Sequence, residues 1–188
     1  MELVARATNS ADKQAFALLV ERHQSRIRQF LRRLTAGDWH SADDLAQDTF
    51  LLAYRKIHQF RATGSFNAWL HSIAWRLFLS WKRKQVKQAE IPMWDEVSVD
   101  RGSALDAEMT AQRLMRVLSA DQRVAITLSY AEGMTHHQIS EVTGIPLGTV
   151  KSHISRAIRK MKQYATHHEQ HARQPVLVAG IEGKRHAG

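Results

Sequence analysis

The chain has 188 residues, 44% of them hydrophobic and 24% charged, so it can form one medium domain or two small ones. Its 27 Lys and Arg exceed its 18 Asp and Glu, and the resulting net charge of +9 favours a polyanionic partner. With no cysteine, disulfides, thiolate metal sites and cysteine nucleophiles are excluded. Because no apolar run is long enough to cross a bilayer and the N-terminus lacks a signal-peptide core, we expect a cytoplasmic protein without direct membrane insertion.

Residues 1–85 form a first predicted helical block. Apolar residues recur at steps of three and four before Gly37, which ends that run. Ser41 followed by Asp44 predicts the start of a second helix. The third helix has one continuous apolar stripe. The three predicted helices span about 16–34, 41–58 and 67–85.

One stripe of the second helix is acidic. Asp44, Gln47, Asp48 and Leu51 follow the i, i+3, i+4, i+7 spacing of one helix face. In a basic protein such a stripe would repel DNA, which favours a protein partner. A solvated acidic first turn that complements the helix dipole explains the same spacing equally well.

The third helix carries Ser72, Trp75, Arg76, Leu79 and Arg83 on the face opposite its apolar stripe. Aromatic rings stack on unpaired bases and cations follow the phosphate backbone, so this face predicts contact with single-stranded nucleic acid. The alternative is that Trp75 packs on a neighbouring helix.

Two segments lack a helical period. Residues 86–105 contain a proline, a glycine and mixed acidic residues, which predicts a linker, and residues 165–188 are predicted to be a mobile tail. His167, His168 and His171 suggest metal sensing, but no acidic or thiol partner stands at a set spacing. We therefore expect no metal site.

Residues 106–164 form the second predicted helical block. Ser119 and Thr135 each have a glutamine three residues later, at Gln122 and Gln138, which is the spacing of a capping box. Gly133 separates the two helices that these residues begin.

The segment "MTHHQISEVTGIPLGTVKSHISRAIRKMK" predicts a helix-turn-helix, with Gly144, Ile145 and Pro146 forming the turn. On the second helix, an apolar stripe faces inward: Val150, Ile154, Ala157, Ile158 and Met161. The outward face holds Thr149, Ser152, Ser155, Arg156 and Arg159, flanked by Lys151, His153 and Lys160. These residue types can bond base edges and phosphates, which favours DNA reading over an ordinary helical hairpin with a solvated basic face.

The combined pattern resembles the extracytoplasmic-function sigma factors, which are specificity subunits of bacterial RNA polymerase. The resemblance covers about residues 10–164 and rests on "DDLAQDTFLLAYRKIHQF", "GSFNAWLHSIAW" and "LSADQRVAITLSYAEGMTHHQISEVTGIPLGTVKSHISRA". It implies an all-α fold of two small helical domains, called regions two and four, joined by a flexible linker. It also implies a protein with no catalytic residue and no cofactor.

The resemblance implies three sets of contact residues. The set facing the clamp helices of the largest polymerase subunit is Asp44, Leu45, Gln47, Asp48 and Phe50. The set that reads and opens the minus-ten promoter element is Phe60, Arg61, Ser65, Phe66, Asn67, Trp75, Arg76 and Arg83. The set in the major groove of the minus-thirty-five element is Thr149, Lys151, Ser152, His153, Ser155, Arg156 and Arg159. Further implied partners are the polymerase flap region and an anti-sigma factor.

The chain departs from the family pattern at three positions. Members often have Asn where this chain has Arg76, Asp where it has Ser80, and Arg where it has His153. Two other functions stay open on the residues alone. One is a stand-alone helix-turn-helix regulator that binds duplex DNA without polymerase, and the other is an RNA-binding module using the Trp75 and Arg76 face.

Overall fold

A computed structural model describes residues 2–9, 12–60, 64–88 and 107–172. These residues form eight α-helices and one turn of 3-10 helix, Ile57–Gln59, with no β-strand among them. The helices are α1 Glu2–Asn9, α2 Lys13–Leu34, α3 Trp39–Lys56, α4 Phe66–Gln88, α5 Ala107–Arg116, α6 Ala120–Tyr130, α7 His136–Thr143 and α8 Leu147–Ala172. None of the described helices is both long and apolar enough to span a membrane.

Both predicted capping boxes are confirmed. The Ser119 hydroxyl accepts from the Gln122 backbone N–H at 3.3 Å, and the Gln122 side chain accepts from the Ser119 N–H at 3.1 Å. The corresponding distances between Thr135 and Gln138 are 3.3 Å and 2.9 Å. Each box satisfies two backbone donors that the first helical turn leaves without a partner, and so fixes where α6 and α7 begin.

The predicted start of α3 at Ser41 is wrong. Asp38 is the N-cap, its carboxylate accepts from the Ser41 N–H at 3.0 Å, and the helix begins at Trp39. Gly37, with φ +100°, turns the chain sharply just before Asp38. Asp38 is therefore the first position after the turn at which a capping side chain can stand.

Two helices run beyond the predicted domain limits. α4 continues to Gln88, so residues 86–88 of the predicted linker are helical, and α8 continues to Ala172, into the predicted tail. No proline or glycine occurs between Thr149 and Gln174, so nothing in that stretch interrupts the helix. The rest of the linker prediction, residues 89–105, and residues 173–188 of the tail prediction lie outside the described residues.

The two helical blocks share one continuous apolar core. In the first block, Phe30 and Leu70 are fully buried where α2, α3 and α4 pack together. In the second block, Leu128 and Val150 are fully buried between α6, α7 and α8. The blocks then pack on each other, α4 against α7 and α2 against α6, and most of their buried apolar residues belong to a single cluster, while Leu118, Ile126 and Ala157 form a smaller one in the second block.

Candidate nucleic-acid interface

The turn between α7 and α8 is held by three short hydrogen bonds. Gly144, predicted to begin this turn, adopts φ +75°, a left-handed conformation that glycine permits without strain. The Ser140 hydroxyl donates to the Ile145 carbonyl at 2.6 Å, and the Thr143 hydroxyl donates to the Ile139 carbonyl at 2.6 Å while accepting from the Ile145 N–H at 3.2 Å. These bonds set the direction in which α8 leaves the turn.

α8 presents the predicted faces. Val150 and Ala157 are fully buried and Ile154 is 7% exposed, so the apolar stripe faces the core as expected. The opposite face is open to solvent at Thr149, Lys151, Ser155, Arg156 and Arg159, whereas Ser152 and His153 are half-buried. No carboxylate of the described residues forms an ion pair with the cations of this face. The side chains suited to base edges and phosphates are thus available on one surface.

The acidic stripe of α3 lies on the surface of the first block. Asp44, Gln47 and Asp48 are exposed, and Leu51 is 59% exposed. Leu45, assigned with them, is instead buried at 6% exposure and contributes to the core. The stripe therefore offers negative charge and one apolar side chain to a partner. Leu45 is not available to that partner, because it packs in the hydrophobic core.

Beside this stripe runs an apolar groove that the sequence analysis missed. Phe16 and Val20 of α2 and Phe50, Leu51 and Tyr54 of α3 line a groove of about 420 Å³. The signal was present, since Gln47, Phe50, Leu51 and Tyr54 also follow helical spacing. Arg28 also lines the groove, and the carboxylates of Asp44 and Asp48 lie on the adjoining stripe. An apolar groove beside such an acidic stripe suits an amphipathic helix with cations along one edge.

An aromatic cluster stands at the N-terminal end of α4. The rings of Phe60, Phe66 and Trp69 lie with centroids 5.4 to 5.6 Å apart, and Phe60 and Phe66 are each 7% exposed. Ser65 is exposed and Asn67 half-buried beside them. Arg61, the remaining residue of the predicted loop, lies outside the described residues.

The outward face of α4 is only partly open. Arg76 and Arg83 are exposed as predicted, but Trp75 is 2% exposed and Leu79 is half-buried. Trp75 stacks on Phe78 and donates its indole N–H to the Thr143 carbonyl of α7 at 3.2 Å. Of the two interpretations of Trp75, packing on a neighbouring helix is confirmed and exposure is wrong for this conformation, because α7 covers the second apolar face of α4.

A buried ion pair lies one turn before Trp75. His71 Nε2 is 3.5 Å from Glu132 Oε2, and the two side chains are 0% and 4% exposed. His71 Nδ1 donates to the Asn67 carbonyl at 2.8 Å, which leaves Nε2 as the ring nitrogen that faces the Glu132 carboxylate. Burial by itself raises the pKa of Glu132, but the interaction with His71, together with Asn67 and Arg26, outweighs it and leaves the pKa below its usual 4.5.

No described residues form a group of three or more potential metal ligands. His167 is exposed on α8, and the side chains of His168 and His171 lie outside the described set. The geometry available for function is therefore that of three surfaces: the outward face of α8, the stripe and groove of α3, and the covered face of α4.

Comparison with known proteins assigns the two blocks. Residues 19–88 match the family model for Sigma-70 region 2, and residues 108–161 match the model for Sigma-70, region 4. The ECF RNA polymerase sigma-E factor of Haemophilus influenzae is 33% identical over 162 residues, which cover 78% of this chain and 85% of that protein. The chain belongs to the extracytoplasmic-function sigma factors. In this family, the first block is region two and the second block is region four.

One further member of the family and one solved structure agree with this assignment, and a second solved structure shares the fold. The ECF RNA polymerase sigma factor SigE of Mycolicibacterium smegmatis is 30% identical over 161 residues, covering 80% of this chain but 61% of that protein. The sigma factor RpoE of Bartonella quintana, solved in complex with the anti-sigma factor NepR, superposes with a TM-score of 0.67 at 28% identity, covering 80% of this chain and 96% of that one. CnrH, solved with the cytosolic domain of CnrY, shares the fold with a TM-score of 0.64 at 23% identity, over 87% of this chain and 95% of that one.

The contact between α4 and α7 is thus a contact between region two and region four of one sigma factor. Sequence reasoning did not find the residues that form it, namely His71, Glu132 and the Thr143 carbonyl. The sequence of α4 did contain a signal for this contact, because α4 is apolar on two faces. A helix that is apolar on nearly all sides is buried on both, so a second packing partner was to be expected.

Proposed function

We propose that this chain is an RNA polymerase sigma factor that binds core polymerase, recognises the minus-thirty-five and minus-ten promoter elements and promotes DNA melting. The observation that supports it most is the outward face of α8, a solvent-open row of polar and cationic side chains on a helix-turn-helix. This reader is joined in one chain to region two, which has a separate surface suited to a protein partner. A regulator that only binds duplex DNA has no need of region two.

The polymerase contact falls on α3 in this proposal. Asp44, Gln47 and Asp48 would meet cations on the clamp helices of the largest subunit, while Phe50 and Leu51 would receive apolar side chains in the adjoining groove. Region four would meet the flap region. An anti-sigma factor is a further proposed partner, because the solved relative from Bartonella quintana is held by one.

The promoter contacts divide between the two regions. Thr149, Lys151, Ser152, Ser155 and Arg156 read the minus-thirty-five major groove, with His153 and Arg159 at its edge. Arg76 and Arg83 follow the backbone of the minus-ten strand, and Trp75 stacks on an unpaired base once α7 no longer covers it. Capture of unpaired bases and contacts with polymerase supply the free energy of melting. The chain itself performs no bond chemistry, and it acts where polymerase acts, in the cytoplasm.

The deciding experiment is transcription in vitro with purified core polymerase and a promoter library. We expect transcripts only when chain and core enzyme are both present, and weak promoter binding by the chain alone. A stand-alone regulator would instead bind a duplex site tightly without polymerase. No transcript from any promoter in the library would overturn the proposal.

A further inference from the structure

Region two and region four are joined at two polar contact points within an apolar seam. The first point, here called the α4 clasp, consists of the His71–Glu132 ion pair at 3.5 Å and the Trp75–Thr143 hydrogen bond at 3.2 Å. Both contacts link α4 of region two to the α6–α7–α8 body of region four. The participating side chains are almost fully excluded from solvent, and removing one member of such a buried pair strongly disfavours the packed arrangement.

The second point, here called the α2 clasp, lies at the C-terminal end of α2. Arg123 Nη1 donates to the Leu34 carbonyl at 2.8 Å, and Arg116 Nε donates to the Ala36 carbonyl at 3.2 Å. The last carbonyls of a helix lack partners within the helix and carry partial negative charge. Arg123 of region four therefore caps α2, and Arg116 binds the turn that follows it, so each region satisfies backbone groups of the other.

The seam covers one DNA-facing surface and leaves the other open. α7 lies over Trp75, which is 2% exposed, and a ring in that position cannot stack on a base. Thr149, Ser155 and Arg156 of α8 remain exposed in the same conformation. The closed arrangement is therefore compatible with binding at the minus-thirty-five element but not with reading at the minus-ten element.

We propose that the chain, without any partner protein, holds itself in this closed state, and that the two clasps mask the minus-ten reader while leaving the minus-thirty-five reader available. The proposal rests on the proposed function for what the masked face reads. The 18 residues between Gln88 and Ala107 can span roughly 60 Å when extended, so the connection does not prevent opening. Apparent affinity for a minus-ten strand then scales with the fraction of open molecules.

The test measures opening and binding separately in the full chain. Since the chain has no cysteine, Ala17→Cys on α2 and Gln163→Cys on α8 provide two exposed sites for a fluorescence energy-transfer pair. The α4 clasp is weakened with Glu132→Gln and the α2 clasp with Arg123→Met. Arg116→Gln is a milder second variant, because Arg116 is exposed and its removal does not threaten folding. The matched control is Glu141→Gln, which removes a carboxylate on α7 whose His137 contact at 3.4 Å is exposed.

We expect high energy transfer in the starting chain and in Glu141→Gln, and lower transfer in each clasp variant whose circular dichroism shows an intact fold. The same clasp variants should bind a random-sequence single-stranded DNA pool roughly three- to tenfold more tightly. Their binding to a random-sequence duplex pool should stay unchanged.

Three results would overturn the closure. One is equal energy transfer in all folded chains, another is opening without a gain in single-strand binding, and the third is a parallel gain in duplex binding. The proposed function fails separately, through the absence of transcripts with core polymerase, whatever the energy transfer shows.

Discussion

Arg156 lies on the exposed face of α8, in the part of the recognition helix that a major groove would receive. A guanidinium in this position can form two hydrogen bonds with guanine, an arrangement that discriminates against other bases by about 1–3 kcal/mol. We expect Arg156→Ala to lose preference at one base pair of the minus-thirty-five element, measured with duplexes substituted at each position. Lys160→Ala, on the flank, should weaken binding evenly across sequences. An unchanged base-preference profile in Arg156→Ala would argue against direct reading there.

Asp48 is an exposed carboxylate at the centre of the α3 stripe. Reversing its charge places a cation against the cationic edge expected of the polymerase partner, so Asp48→Arg should weaken holoenzyme formation roughly tenfold or more. The measurement is a fluorescence titration with core polymerase. Duplex binding by region four in the same full-length variant should be unaffected.

The control for Asp48→Arg is Glu2→Arg, an equal charge reversal at an exposed position of α1. It should leave polymerase affinity close to that of the starting chain. If both variants bound core polymerase equally well, the acidic stripe would be a solvated helix face without a partner; it is not a first turn, because α3 begins at Trp39 and has no acidic residue there.

Single residues also mark the limit of sequence reasoning. The exposure of Arg156 followed from the helical period alone, because its neighbours on α8 form one apolar stripe. Trp75 could not be assigned in the same way, since its face carries both apolar and cationic side chains. Burial of that face depends on α7, which follows it by about 60 residues in the chain.

At the scale of the element, the cap of α7 determines how firmly the helix-turn-helix is held. Thr135 is the N-cap, and its hydroxyl accepts from the Gln138 N–H. Thr135→Ala removes that acceptor and should lower the free energy of unfolding by about 1 kcal/mol, measured by urea denaturation. Thr166→Ala is the control, because the Thr166 hydroxyl bonds only the Lys162 carbonyl within α8. Equal losses in the two variants would contradict a specific capping role for Thr135.

The start of a helix was predictable where two residues close in the sequence cap each other's backbone N–H groups. The two capping boxes require residues only three positions apart, and both form as expected. The start of α3 was misplaced because Ser41 and Asp38 are both suitable caps, and the choice depends on the conformation of Gly37. The end of α8 was placed too early because its last turns lack an apolar period, although no residue there breaks a helix.

At the scale of the molecule, the arrangement of the two regions was beyond sequence reasoning. The hydrogen bonds that join them link residues 68, 80 and 89 positions apart. Periodicity and capping describe a single helix and say nothing about which helices meet. The family resemblance supplied two domains and a linker, but the clasps depend on side chains such as Arg123 and Glu132 whose partners are visible only in the folded chain.

The packing of α2 against α4 also gives the molecule a pH dependence, centred on His23. Burial lowers the pKa of His23 below its usual 6.5, and the positive charges of Arg22 and Arg26 on its own helix and of His71 on α4 lower it further, against a weaker opposing hydrogen bond from Asn67. The unfolded chain therefore binds a proton at His23 more readily than the folded chain. Stability is fully present above pH 6.5 and is lost as the pH falls from 6.5 through the lowered pKa of the folded state.

We accordingly expect the urea midpoint of the full chain to decrease between about pH 7.5 and about pH 5.5. His23→Gln cannot be protonated in this range, so its midpoint should decrease less. His58→Gln, which removes an exposed histidine, should follow the starting chain. Glu132 does not affect the urea midpoint in this pH range. Its pKa in the folded chain is lowered from 4.5, so the stability that its carboxylate contributes is lost only below pH 4.5. A decrease of the same size in all three chains would mean that His23 is not the group responsible, since only the His23 variant lacks the side chain whose protonation the folded state disfavours.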